Sequence, residues 1–388
     1  MVAASLAVTW LLGCSASDAV RLTRAAVTGD ATAARQVAVE KATRYATRPD
    51  TLKRDIERFH NQFAAIIEAF RKGVRGRWGD KESREPEQKK YVKYTQNYLS
   101  RASVDFDRGV VTVETLDGQN PEKSLKAAVV TTLLTPNDPR AVDLYTAGTV
   151  TLGGEPFLLG EVLDHEGQPI RWTWRAERFA DHLIGTRMES RAITVGGKAQ
   201  SVHGVSLAMV RDHLTVRAKK YRTAVDRFAT QYKVSRNLIY AIMKTESDFN
   251  PFAVSPAPAF GLMQIVPDTA GSDVNRLLHR SGVPDRNTLF DPEENIRYGT
   301  AYLHLLTDRY LAGIENPVSR QYCVITAYNA GAGNVLKTFH QDREKATSRI
   351  NALAPLTVFN TLHKRLPVAE GRRYLAKVTD AQKAFVNF

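Results

Sequence analysis

Apolar residues recur at helical spacing from residue 51 onward, through Ile56, Phe63, Ile66, Ile67 and Phe70, and the pattern stops near Trp78-Gly79. This predicts one long helix, followed by a charged loop over 80–90 (Asp-Lys-Glu-Ser-Arg-Glu-Pro-Glu-Gln-Lys-Lys). From Ser103 to Glu114 the period changes to two on either side of Asp107-Arg108-Gly109, which predicts a hairpin. Pro121 to Leu134 reads as a helix with proline in its first turn. A second hairpin is expected over 157–170 around Asp164-His165-Glu166-Gly167, then a helix near 174–188 and strands near 190–210.

Beyond about Arg211 the texture changes to helices punctuated by loops. The candidates are 216–232, 235–247, 268–280, 292–311, 317–329, 332–341, 344–352, 355–365 and 367–385. Asn316-Pro317 is a good helix start, with Asn as the cap and Pro at the first position. The expected fold is an α+β domain over 51–211 and a mainly α domain over 212–388. Residues 15–50, rich in Ala, Thr and Arg with few large apolar side chains, read as a tether.

Composition fits that division. A chain of 388 residues is too long for one ordinary core, and 43% hydrophobic with 24% charged residues excludes disorder throughout. The net charge of +13 favours a polyanionic partner. Most of the excess lies from Leu214 onward, where 24 basic residues face 15 acidic ones. No zinc-finger spacing, ribonucleoprotein motif or basic heptad helix accompanies it, so no nucleic-acid partner is expected. The nine histidines show no metal spacing. There is also no phosphate loop and no Ser-His-Asp arrangement, so neither metal nor cofactor is expected.

Two cysteines cannot build a disulfide framework. Cys323 lies in an apolar helical pattern and reads as a buried free thiol. Cys14 follows an apolar and small-residue stretch, Val2 to Leu12, which is too short to span a bilayer and has the length of a signal-peptide core. Leu11-Leu12-Gly13-Cys14 resembles the bacterial lipobox, although no Lys or Arg precedes the core. That resemblance implies a signal peptide over 1–13, acylation of Cys14 and a tether over 14–50. Ser15, where an Asp would favour inner-membrane retention, points to the periplasmic face of the outer membrane.

The candidate chemistry sits between Ser235 and Gln264. Ser235 can cap a helix, and Glu246 falls four residues after Ile242 and seven after Ile239, on the apolar face of that helix. Burial there raises a carboxyl pKa, as a general acid at neutral pH requires. The competing reading is a helix-end Glu that turns outward into a salt bridge. Asp248, two positions on, should point away from it.

Three segments carry a resemblance: Glu246-Ser247-Asp248-Phe249-Asn250-Pro251, Gly261-Leu262-Met263-Gln264 and Ala327-Tyr328-Asn329-Ala330-Gly331. In this order they are similar to the signatures of the lytic transglycosylases of the goose-type-lysozyme-like superfamily. Four stretches (91–95, 138–145, 167–172 and 372–378) resemble a membrane-bound branch of it. The resemblance implies a lysozyme-like second domain that cleaves the β-1,4 bond between N-acetylmuramic acid and N-acetylglucosamine in peptidoglycan glycan strands. The product is a 1,6-anhydro sugar, formed without water. Glu246 would act as acid and then base, where an ordinary glycosidase needs two carboxyls.

By the same resemblance, Met263 and Gln264 would form the cleft wall, with the Gln amide binding sugar and the Met supplying apolar surface. Ser255 would hold the carboxyl or a muramyl group. Tyr328, Asn329 and Tyr374 would line the sugar site. The chain departs from the pattern at Ala330 and at Ala257-Pro258. The α+β domain carries no catalytic constellation, and is expected to position the catalytic domain or bind glycan. The alternatives are a hydrolytic muramidase and a non-catalytic peptidoglycan-binding lipoprotein.

Overall fold

The structure is a computed structural model that describes residues 49–256 and 258–388. The expected signal peptide, Cys14, nearly all of the expected tether, and Ala257 lie outside the described residues. The first half opens with helix α1 (Pro49–Glu82), whose helical path breaks at Gly79 (φ 70°), where the apolar spacing stops. An antiparallel sheet follows, with β1 (Lys90–Thr95), β2 (Ser100–Asp105), β3 (Val110–Thr115), β4 (Glu189–Val195) and β5 (Lys198–Ala208) in the order β1-β2-β3-β5-β4.

The expected hairpin is β2–β3, with Val104 opposite Val111. Helix α2 (Pro121–Leu134) lies on β2 and β3 and along α3 (Thr173–Arg187). The sequence pattern missed β1 because four successive buried residues, Tyr91 to Tyr94, hide any alternation. Lys93 is buried among them and donates to the carbonyls of Asp143 (2.6 Å) and Thr146 (2.7 Å). The second expected hairpin does not form. Residues 157–170 are an irregular loop, closed by isolated bridges between Leu159 and Val162 and between Leu163 and Pro169, and by Asp164, whose carboxylate accepts from the Glu166 and Gln168 amides.

The second half is helical, as expected. The segment 216–232 is two helices, α4 (His213–Lys219) and α5 (Arg222–Tyr232), followed by α6 (Arg236–Ser247), α7 (Ser272–Leu277), a short unanticipated α8 (Arg286–Phe290) and α9 (Pro292–Leu305). Then come α10 (Pro317–Ala330), α11 (Ala332–Phe339), α12 (Arg343–Asn351), α13 (Pro355–Arg365) and α14 (Ala369–Ala381). Asn316 caps α10 by accepting from the Val318 and Ser319 amides, as its position predicts. No helix among the described residues is long and apolar enough to cross a membrane.

One hydrophobic cluster runs through both halves. Tyr91, Phe157 and Phe252 form a triangle of rings with centroids 4.9–5.2 Å apart, and Phe63 meets Phe260 at 5.7 Å. Beside the triangle, Arg217 of α4 is buried. It donates to the Glu161 carboxylate (2.6 Å), to the Asp248 carbonyl at the end of α6 (2.7 Å) and to the Phe106 carbonyl (3.3 Å). Its guanidinium also lies over the Phe106 ring. Three segments far apart in sequence therefore converge on one planar cation. Arg217→Ala leaves the fully buried Glu161 with Lys220 alone and is expected to cost about 3–5 kcal/mol in chemical denaturation. Arg217→Lys should recover only part of that, because it loses the fork of donors.

Candidate active site

Helix α6 places Ile239 and Ile242 at 0% exposure, and Glu246 continues their face at 9%. Its predicted cap is only positional: the Ser235 carbonyl accepts from the Ile239 amide, but the side chain makes no capping bond. The Glu246 carboxyl accepts a hydrogen bond of 2.7 Å from the Tyr374 hydroxyl of α14. Burial pushes its pKa from 4.5 to about 7, and the Glu370 charge adds to that. The Tyr374 hydrogen bond and the charges of Lys89 and Lys377 pull the other way and do not cancel it. Glu246 thus titrates near neutral pH and makes no salt bridge among the described residues.

The chain leaves α6 sharply. Asp248 caps the helix in the left-handed conformation (φ 49°), at 1% exposure, paired with Lys89 (2.7 Å) and Lys244 (2.9 Å). Those cations hold its carboxyl below the ordinary Asp value although burial opposes them. Asp248 is thus engaged by the two lysines, and Glu246 by Tyr374. Ser247 ties the helix end to the next segment through its hydroxyl, which donates to the Leu262 carbonyl at 2.8 Å.

That next segment, Gly261-Leu262-Met263-Gln264, is pinned to α9. Asn295 donates to the Phe260 and Leu289 carbonyls and accepts from the Met263 amide at 2.8 Å. Gly261 has φ +74°, and a Cβ there would sit 2.7 Å from the Leu289 carbonyl oxygen and overlap the Asn295 amide. Gly299 of α9 likewise makes room for the Met263 side chain. Met263 therefore lies in the core at 0% exposure and does not supply the expected apolar cleft surface.

The Gln264 amide nitrogen, expected to bind sugar, donates to the Ala253 and Gly261 carbonyls, which leaves Oε1 buried without a protein partner. Tyr328 of α10 donates to the Met263 carbonyl at 2.9 Å and lies with its ring tilted 5.6 Å from that of Tyr302; burial, and then the Glu246 charge, raise its pKa. Asn329 lies near Gly371 of α14, and the departure at Ala330 falls at the same close crossing of α10 and α14.

Glu246 opens into a cleft of about 1070 Å³. One wall is the face of α14 carrying Glu370, Arg373, Tyr374 and Lys377. Ser255 and Pro256, the charged loop 83–90, and Asp105, Asp107 and Arg108 at the hairpin tip also line the cleft. The structure thus brings Glu246, Ser255 and Tyr374 together in the cleft. It sets Met263, Gln264, Tyr328 and Asn329 behind or beside that surface. Sequence reasoning missed Glu370, Arg373 and Lys377, which Tyr374 implies at positions −4, −1 and +3 of one helix face. It also missed Lys89, which local pattern cannot connect to Asp248.

Comparison with known proteins defines the class first. Residues 224–351 match the family described as the transglycosylase SLT domain. Residues 56–220 match a second family, the N-terminal domain of membrane-bound lytic murein transglycosylase C. Proteins of that name from Yersinia pestis (strain Pestoides F) and Yersinia pseudotuberculosis serotype O:1b (strain IP 31758) are each 47% identical over 326 residues, 84% of this chain and 90% of theirs. The chain belongs to the membrane-bound lytic murein transglycosylase C family. Among solved structures, the lytic transglycosylase Slt of Pseudomonas aeruginosa (27% identity, TM-score 0.34) covers 42% of this chain and is covered over 24% of its own. The 70 kDa soluble lytic transglycosylase of Escherichia coli (26%, TM-score 0.34) covers 43% and is covered over 24%.

The pKa of Glu246 fixes a sign for stability. The unfolded chain releases this proton near 4.5, the folded chain near 7. Between these values the folded form binds more protons, so stability falls as pH rises through the window. Glu246→Gln cannot ionise. It is expected to match the unsubstituted protein near pH 4 and to exceed it at pH 8 by roughly 3 kcal/mol in chemical denaturation. A difference constant with pH would contradict the burial argument.

Proposed function

We propose that this chain is a lytic transglycosylase of peptidoglycan in which Glu246 alone does the acid–base work. It cleaves the β-1,4 bond between N-acetylmuramic acid and N-acetylglucosamine. The single observation that carries this reading is a carboxyl protonated near neutral pH, held by Tyr374 at the edge of a large cleft. Glu246 gives its proton to the departing glycosidic oxygen as the C1–O bond breaks. The muramyl C6 hydroxyl then attacks C1, and the Glu246 carboxylate takes the hydroxyl proton. The enzyme returns to its starting form, and the product is a 1,6-anhydromuramyl end with no water added.

Burial favours the first half of this cycle, and the Tyr374 hydrogen bond favours the second by stabilising the carboxylate. Asp248 is buried and paired with two lysines, which argues against it as a second carboxylate for hydrolysis. Ser255, on the cleft surface, contacts the muramyl unit in this reading. Met263, Gln264, Tyr328 and Asn329 act by fixing the wall behind it, with Gln264 Oε1 as the remaining acceptor. The basic side chains in the cleft suit a substrate whose stems and muramyl groups carry carboxylates.

We further propose that residues 1–13 are a signal peptide, 14–50 a tether, 51–211 the α+β domain and 212–388 the catalytic domain. The chain is held by acylated Cys14 at the periplasmic face of the outer membrane. The lipobox-like Leu11-Leu12-Gly13-Cys14 supports the anchor, and the relatives' name supports membrane association.

Glu246→Gln should lower turnover of purified sacculi by about 10²–10⁴-fold with the fold retained by circular dichroism. Turnover close to that of the unsubstituted enzyme would sink the assignment. Cys14→Ser, expressed with its own signal, should lose palmitate labelling and leave the membrane fraction. Retention there by other means would refute the anchor.

A further inference from the structure

The α+β half delivers one cation to the end of the catalytic helix. Lys89, in the charged loop before β1, places its ammonium 2.7 Å from Asp248 Oδ2, while Lys244 Nζ sits 2.9 Å from Oδ1. The loop is itself tied down. The Asn250 amide donates to the Gln88 carbonyl at 3.0 Å, and the Phe106 amide to the Lys89 carbonyl at 3.1 Å. Asp248 cannot shift, because it caps α6 in a left-handed conformation and its carbonyl is gripped by Arg217. The Lys89 side chain is 36% exposed and lines the same cleft as Glu246.

We propose that Lys89 is a positioning residue for Glu246, supplied by the α+β half and held in place by Asp248. The proposal rests on Glu246 being the acid–base group. When Glu246 gives up its proton, a carboxylate forms at a buried site, which is costly without a nearby cation. The groups that act on it come from several elements: Tyr374, Glu370 and Lys377 from α14, Tyr328 from α10, and Lys89 from the loop. Lys244, also paired with Asp248, is not among the leading charges that act on Glu246. Glu370 opposes ionisation, and Lys89 and Lys377 favour it. Lys377 is exposed on the surface of α14 and makes no ion pair among the described residues. Lys89 is the cation held fixed by a buried partner.

The test is the pH–rate profile on purified sacculi for the full chain, Lys89→Met, Lys89→Arg, Lys89→Met with Asp248→Asn, and Glu246→Gln. Lys89→Met should move the alkaline limb upward by ~0.5 pH unit and lower the plateau rate ~10-fold, since the carboxylate form becomes harder to reach. Lys89→Arg should restore both. The double variant removes the Lys89–Asp248 pair and should still show the shifted limb. A Lys89→Met profile superimposed on that of the unsubstituted enzyme, with Glu246→Gln inactive, overturns this proposal alone. An unsubstituted enzyme without transglycosylase products overturns the functional assignment and this proposal with it.

Discussion

Burial of the Glu246 carboxyl disfavours its charged form, and this shapes what surrounds it. The cost is set by the apolar face of α6, where Ile239 and Ile242 are fully buried beneath it. One hydrogen bond, from Tyr374, holds the carboxyl and lowers its pKa, but not enough to offset burial. Tyr374 lies on α14, which packs closely against α10 where Gly371 leaves space for Ala330 and Leu366. The group on which the chemistry depends is thus positioned by two helices more than a hundred residues apart in sequence.

The second dependence is between the halves of the molecule. Arg217 joins the irregular loop at Glu161, the β2–β3 turn at Phe106 and the end of α6 at Asp248. Asp248, two positions after Glu246, is a structural anion that receives Lys89 from the α+β half. The cleft has walls from both halves, so the α+β half completes the site, although it carries no catalytic constellation of its own.

Much of this was legible in the sequence. Period and capping gave the long first helix, the β2–β3 hairpin, α2 and the helical second half, because those elements are set by local pattern. The placement of Glu246 on a buried face followed from its spacing to Ile239 and Ile242. What local pattern could not supply came from contacts distant in sequence. Strand β1 has no alternation because both its faces are covered. Residues 157–170 turn around the Asp164 carboxylate and have no facing strand. Met263 reads as surface by resemblance, yet Gly299 lets α9 close over it. Lys89 looks like part of a solvated charge run, and only the fold brings it to Asp248.

The central claim is that one carboxyl performs the reaction without water. It is tested most directly by digesting purified sacculi in ¹⁸O-labelled water and weighing the muropeptide products. The account predicts 1,6-anhydromuramyl ends carrying no ¹⁸O. Reducing-end muramic acid with one ¹⁸O atom would contradict it and place a hydrolytic muramidase in this cleft.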